Sequence, residues 1–232
     1  MKIHVSDLIL EITRRCNMCC EHCLRGEAEN LDMSKGQIDE ILSQVDSIFS
    51  VVFTGGEPTL NLPIIEYFFK RAKELNKMPS SFWLATNGKK HQLELAILLL
   101  KIYPEMDEQE ECGVAISQDE FHEDVGSDIL RGLAFYDSSK ERHDDSQMWI
   151  IREGKAKNWG AHEGYHNHLE AEAYYVDGEE HIDVTTLYVN PLGKWLPDCD
   201  YSYESQNQVA MGDIHNLRDD LHAWYMMHDR AC

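Results

Sequence analysis

Short apolar runs alternate with longer stretches of helical spacing through the first half of the chain. Residues 8–12, 51–54, 82–85, 114–117 and 149–151 are brief, β-rich and apolar, the pattern of buried parallel strands. Between them, Ile38, Ile41, Leu42, Val45 and Ile48 mark one helical face behind a cap at Ser34. Ile64, Ile65, Phe68, Phe69 and Ala72 mark a second face, and residues 93–102 a third. Strands alternating with helices predict βαβ units on a parallel sheet. With a sixth strand near 187–189, the units are too few for a closed eight-fold barrel. The expected architecture is therefore α/β, a partial TIM-like (βα)6 barrel over 1–190 with a short C-terminal extension over 191–232. Within 137–184 the character changes to charged and histidine-rich, and YYVDGEEHIDVTTLYV reads as a hairpin turning at Asp177 and Gly178. Turn residues dominate 190–216, and 217–229 has the spacing of a closing amphipathic helix.

Composition narrows the classes of function. The 232 residues carry 21 Lys and Arg against 42 Asp and Glu, a net charge of −21. Such a surface repels phosphate backbones and anionic lipid, so neither nucleic acid nor membrane is an expected partner. The N-terminus lacks the basic start and long apolar stretch of a signal peptide, and the greasiest run, residues 95–100, is too short to span a bilayer. A cytoplasmic location is expected. There thiols stay reduced, and seven cysteines read as metal or redox chemistry rather than disulfides.

Those cysteines are not spread evenly. Cys16, Cys20 and Cys23 fall in CNMCCEHC, a C-x3-C-x2-C spacing directly after the first apolar run. Three thiolates in one loop can hold three irons of a [4Fe–4S] cube and leave the fourth without a protein ligand. A zinc site from Cys16, Cys20, Cys23 and His22 is the competing reading. Structural zinc usually draws paired ligands from two segments, and no second knuckle stands at suitable spacing. Buried structural cysteines are the third reading, a poor fit to four cysteines within eight residues. Cys19, beside Cys20, is the surplus thiol and is expected to point away.

Three more motifs follow successive strands: GGEP at 55–58, ATNG at 85–88 and SQDE at 117–120. Together with the cysteine loop they resemble the radical S-adenosylmethionine superfamily. The lead-in LEITRRCNMCCEHC and the sequel FTGGEPTL are especially similar to members with SPASM or twitch extensions. The resemblance implies a [4Fe–4S] cluster on Cys16, Cys20 and Cys23 and S-adenosylmethionine chelating the open iron through its amine and carboxylate. It also implies an external one-electron reductant such as flavodoxin or ferredoxin. Loops after parallel strands gather at one rim of the sheet, where α/β proteins bind ligands. Gly55 and Gly56 would allow close backbone approach to the cofactor, Glu57 would pair with its ammonium, and Pro58 would fix the turn. Ser117 and Asp119 match family residues that hydrogen-bond the cofactor, and equally suit a helix-capping pair. Asn87 would lie near the cofactor, although Asn-Gly is also a common turn. Arg131 falls where some relatives place a carboxylate-binding arginine; an exposed helical arginine is the plainer reading.

The implied activity is reductive cleavage of S-adenosylmethionine to a 5′-deoxyadenosyl radical that takes hydrogen from a peptide or protein. Alternatives are chemistry on a small metabolite or nucleotide, activation of a glycyl-radical partner, and a non-catalytic iron–sulfur sensor or electron-transfer protein. Residues 188–214 resemble the opening of a SPASM or twitch region in which Cys199 would be the first auxiliary ligand. Only Cys232 follows it, too few thiolates for a second cluster, so the extension is expected to be degenerate. Cys199 is then either a buried structural cysteine or a hydrogen-atom donor near the substrate. HEGYH at 162–166 formally matches a zinc-protease pattern, but Gly160 and Gly164 argue against the helix that pattern needs. A solvated loop, with an incidental metal-binding surface from His162, His166 and His168, is the expectation there.

Overall fold

The computed structural model describes residues 1–122, 125, 129–141, 149–164 and 169–228. Four parallel strands come first in the chain: β1 (Lys2–Thr13), β2 (Ser47–Gly55), β3 (Ser81–Thr86) and β4 (Gly113–Ile116). Three helices connect them, α1 (Lys35–Gln44), α2 (Leu62–Glu74) and α3 (Gln92–Ile102). Ser34 starts α1 with a reciprocal capping box, its hydroxyl accepting from the Gln37 N–H while Gln37 accepts from the Ser34 N–H. The apolar face of α2 packs edge-to-face on the sheet, with Phe68 5.6 Å from Phe53 and Phe69 6.3 Å from Phe82 between ring centroids.

The rest of the chain extends the same sheet from the other side of β1. β5 (Ala171–Val176) and β6 (Glu179–Val189) form a hairpin whose two turn residues, Asp177 and Gly178, take φ of 52° and 83°. Two successive positive φ values make the type I′ turn that matches strand twist. β6 then runs parallel to β1, pairing Lys2 with His181 through to Leu10 with Val189. β7 (Lys194–Leu196) and β8 (Gly212–Asp213) complete the order β4-β3-β2-β1-β6-β7-β8, with β5 beside β6. The sheet is mostly parallel and does not close. β1 lies in its middle and is buried on both faces from Leu10 onward.

Two sequence expectations are altered. Residues 149–151 do not add a fifth strand to β4. Their backbone bonds turn toward His162, with the Arg152 N–H donating to the His162 carbonyl and the His162 N–H to that of Ile150, leaving one isolated bridge at Ile151. Residues 187–189 are the end of β6, seated next to β1 rather than at the far end of a six-strand series. Residues 166, 168 and 232, invoked above, lie outside the described residues.

Two last helices, α4 (Tyr203–Val209) and α5 (Leu217–His228), brace this second side. Arg218 of α5 donates to Asp46 at 3.0 Å, and the Ile3 N–H donates to the same carboxylate oxygen at 2.9 Å. Burial alone would raise the Asp46 pKa, but these donors outweigh it and hold the carboxyl below its ordinary range. A depressed carboxylate contributes stability above its unfolded pKa of about 4 that is lost as pH falls through the folded value. Asp46→Asn is therefore expected to lower unfolding free energy by about 1 kcal/mol at pH 7 and to flatten the acid limb below about pH 4, read by urea titration at both pH values. An unchanged acid limb would refute the assignment.

Candidate active site

The loops after β1, β2, β3 and β4 meet at one rim. Thr13 ends β1, and the chain leaves it through a stem in which the Arg14 N–H donates to the Leu31 carbonyl and the Glu29 N–H to that of Arg14. The end of β2 presses against this stem. A Cβ on Gly55 would come within 2.1 Å of the Thr13 carbonyl oxygen, and one on Gly56 within 2.3 Å of that of Arg15. Both glycines are thus required by contact between two backbones, whatever else they approach. The Gly56 and Glu57 N–H groups donate back to the Thr13 and Arg15 carbonyls at 2.8 Å, locking GGEP to the cysteine loop.

These loops surround a cavity of about 440 Å³. Cys16, Cys20 and Cys23 line it together with Gly55, Gly56, Glu57 and Pro58, Asn87, and Ser117. Four motifs separated by a hundred residues therefore share one space. Glu57 is only 1% exposed, and its carboxylate points inward. It accepts from the Thr59 N–H and hydroxyl at 3.0 and 2.7 Å, the Thr86 hydroxyl at 2.6 Å and the Asn87 N–H at 2.7 Å. That carboxylate ties β2 to the turn after β3. Asn87 donates to Asn17 Oδ1 at 2.9 Å and reaches 4.0 Å from Cys16 Sγ, fixing the cysteine loop from the β3 side.

Asp119 and Arg131 are not among the residues that line the cavity, although Asp119 bonds the lining His122. Asp119 Oδ1 accepts from the Phe121 and His122 N–H groups and from His122 Nδ1 at 2.7 Å, the hydrogen bonds of a capping residue. Burial would raise its pKa, yet the His122 contacts outweigh that and hold it low. Burial likewise opposes charge on His122, but Asp119 and the Cys20 thiol carry its pKa up to about 9. Arg131 bonds Glu141 at 2.8 Å and Gln118 at 2.7 Å and is not part of the cavity wall.

Cys199 is also outside the wall, half-buried between Asp198 and Asp200 with its carbonyl accepting from Arg25, and desolvation pushes its thiol up to about 12. A thiol so raised stays protonated at neutral pH. Cys19 is exposed and accepts from Lys155 Nζ at 3.0 Å, away from the cavity. The turn carrying Lys155 rests on the cysteine loop, its N–H donating to the Cys23 carbonyl at 3.0 Å.

Several wall residues carry no obvious mark in the sequence. Arg25 lines the cavity and donates to the Cys199 and Tyr201 carbonyls at 2.6 and 2.7 Å, linking the cysteine loop to the C-terminal segment. Trp83, His122, Lys140 and Trp149 are also part of the wall. The only sequence signal for Arg25 and His122 was nearness to a motif, two residues beyond Cys23 and two beyond Glu120.

Three thiols on one wall are the donor set with which proteins ordinarily hold an iron–sulfur core. Burial pushes the Cys16 thiol up, with Glu57 and the neighbouring thiols adding to the shift, so a cationic centre is needed to hold it ionised. His22 Nδ1 is buried and has no hydrogen-bond partner among the described residues.

Residues 10–135, more than half of the chain, match the family model described as the Radical SAM superfamily. Over 63 residues the chain is 43% identical to an uncharacterized protein of Methanocaldococcus jannaschii, covering 25% of this chain and 22% of that one. The chain thus matches less than a quarter of that relative's length. Among solved structures it is similar to Streptococcus suis SuiB bound to precursor peptide SuiA, with a TM-score of 0.35 and 19% identity over 49% of this chain and 24% of that chain. It is also similar to native anSMEcpe with bound AdoMet and Cp18Cys peptide, with a TM-score of 0.36 and 22% identity over 53% and 33% of the two chains.

Proposed function

Because this chain belongs to the radical SAM superfamily, we propose that it is an enzyme that cleaves S-adenosylmethionine reductively and abstracts hydrogen from a peptide or protein. In this reading Cys16, Cys20 and Cys23 hold a [4Fe–4S] cluster through three of its irons. When bound, cluster and S-adenosylmethionine supply a one-electron cleavage of the sulfonium and a 5′-deoxyadenosyl radical aimed at a substrate C–H bond. The single observation that carries the reading is the convergence of three thiols, Gly55–Pro58, Asn87 and Ser117 on one cavity at the strand ends.

The chain's own residues divide the remaining work. Glu57, Thr86 and Asn87 make the rim rigid, so that the thiols and the glycine turn keep their relative positions. Gly55, Gly56 and Pro58 form the wall against which the amino-acid part of the cofactor would lie, with Asn87 and Ser117 beside it. Trp83 and Trp149 give the cavity apolar walls that limit water near a reactive centre. The peptide substrate class is supported by the likeness of LEITRRCNMCCEHC and FTGGEPTL to SPASM- and twitch-bearing members.

The test is anaerobic reconstitution with iron and sulfide, followed by dithionite and S-adenosylmethionine. Release of 5′-deoxyadenosine is expected. A protein that binds a cluster and releases none is a sensor or carrier, and the proposal fails.

A further inference from the structure

Helix α3 carries apolar residues on two faces. Leu95, Ala96, Leu98, Leu99 and Ile102 are buried in the core. A second row, Leu93, Ile97 and Leu100, stands 56%, 46% and 52% exposed. Steps of four and three residues place these side chains on one outward stripe. A single exposed leucine is ordinary, whereas three in line on a three-turn helix form a surface that water solvates poorly. Glu94 and Lys101 flank the stripe on the side of α2. With Ile97 they border a groove of about 510 Å³ whose other wall includes Leu62, Pro63 and Glu66.

The flanking charges select what covers the stripe. Consider a twofold axis crossing α3 at right angles beside Ile97. A second copy's helix then runs antiparallel, so Leu93 of each copy meets Leu100 of the other and the two Ile97 side chains meet at the axis. Glu94 and Lys101 lie seven residues apart on the same flank, and the same axis sets each Glu94 opposite the other copy's Lys101. A parallel twofold pair would instead carry this flank to the far side of the seam, so that Glu94 would meet no Lys101. We propose that the outward face of α3 is the contact between two copies of this chain, an isologous antiparallel helix pair with its knobs seated beside the α2–α3 groove. A contact built on one helix and one groove belongs among small interfaces, so the association is expected to depend visibly on concentration.

Sedimentation equilibrium on the full chain tests this, with a monomer–dimer equilibrium as the expected result. Ile97→Asp places a charge on the axis and is expected to leave monomer at every concentration. Glu94→Lys and Lys101→Glu each create like-charge pairs and are expected to weaken the dimer about tenfold or more, whereas combining them restores opposite charges and recovers dimerisation. That recovery also separates pairing from folding, since a misfolded variant is not repaired by a second exposed substitution. A parent chain that stays monomeric, because some other segment or partner covers the stripe, overturns the proposal. So does a dimer indifferent to Ile97→Asp, or a double variant no better than its single parents.

Discussion

Replacing Cys16, Cys20 or Cys23 with Ala is expected to abolish the brown absorbance of the reconstituted protein and drop bound iron from about four atoms per chain to near none. The proposal rests on three thiols lining one cavity, and no fourth cysteine among the described residues lines it. The neighbouring Cys19→Ala is expected to keep the full cluster, because that thiol is exposed and engaged by Lys155. Cys199→Ala is likewise expected to leave the iron content unchanged, since its half-buried, protonated thiol stands outside the cavity. Iron analysis and visible absorbance decide the matter. Loss of the cluster in Cys19→Ala with retention in Cys20→Ala would reverse the ligand assignment, and a fall from about eight irons to four in Cys199→Ala would reveal a second cluster.

The second large effect lies beneath the site. Glu11 is fully buried and accepts from Arg14 Nε at 2.7 Å, from Gln206 Nε2 at 2.6 Å and from the Tyr188 hydroxyl. Arg14, itself 2% exposed, also donates to Glu29 at 2.9 Å and to Gln206 Oε1 at 2.7 Å, and its guanidinium lies 4.3 Å from the centre of the Tyr203 ring. Removing one partner from such a buried cluster strands the others without acceptors. Glu11→Ala is expected to lower unfolding free energy by about 3–5 kcal/mol, measured by urea denaturation at pH 7. A loss below about 1 kcal/mol would mean that water replaces the carboxylate freely. Because Arg14 opens the cysteine loop, the same variant is expected to bind iron less completely.

Much of the first half was legible because its physics is local. Val51, Phe53, Phe82 and Leu84 lie in short apolar runs, and Ile64, Phe68 and Ala72 keep helical spacing, so β2, β3 and α2 follow from period alone. The hairpin turn at Asp177 and Gly178 was legible for the same reason. The motifs were legible as a site because loops that follow parallel strands share a rim. What stayed hidden depends on distant partners. Nothing in LEITRR says that Glu11 and Arg14 are buried, since their partners Tyr188 and Gln206 lie more than 170 residues away. The inward turn of Glu57 depends on Thr86, another strand's residue. That β6 would lie beside β1 is a matter of topology, to which strand periodicity is blind.

The position of β1 between β2 and β6 has a consequence for how the protein is made. Lys2 pairs with His181 and Leu10 with Val189, so one edge of the first strand waits until residues 181–189 have left the ribosome before it gains its hydrogen-bond partners. Until then that strand offers an open ladder of N–H and C=O groups, a surface prone to illegitimate pairing. Arg14, in the stem of the cysteine loop, likewise waits for its Gln206 partner. The sheet around the cysteine loop is therefore expected to be completed only after residues 179–206 have been synthesised.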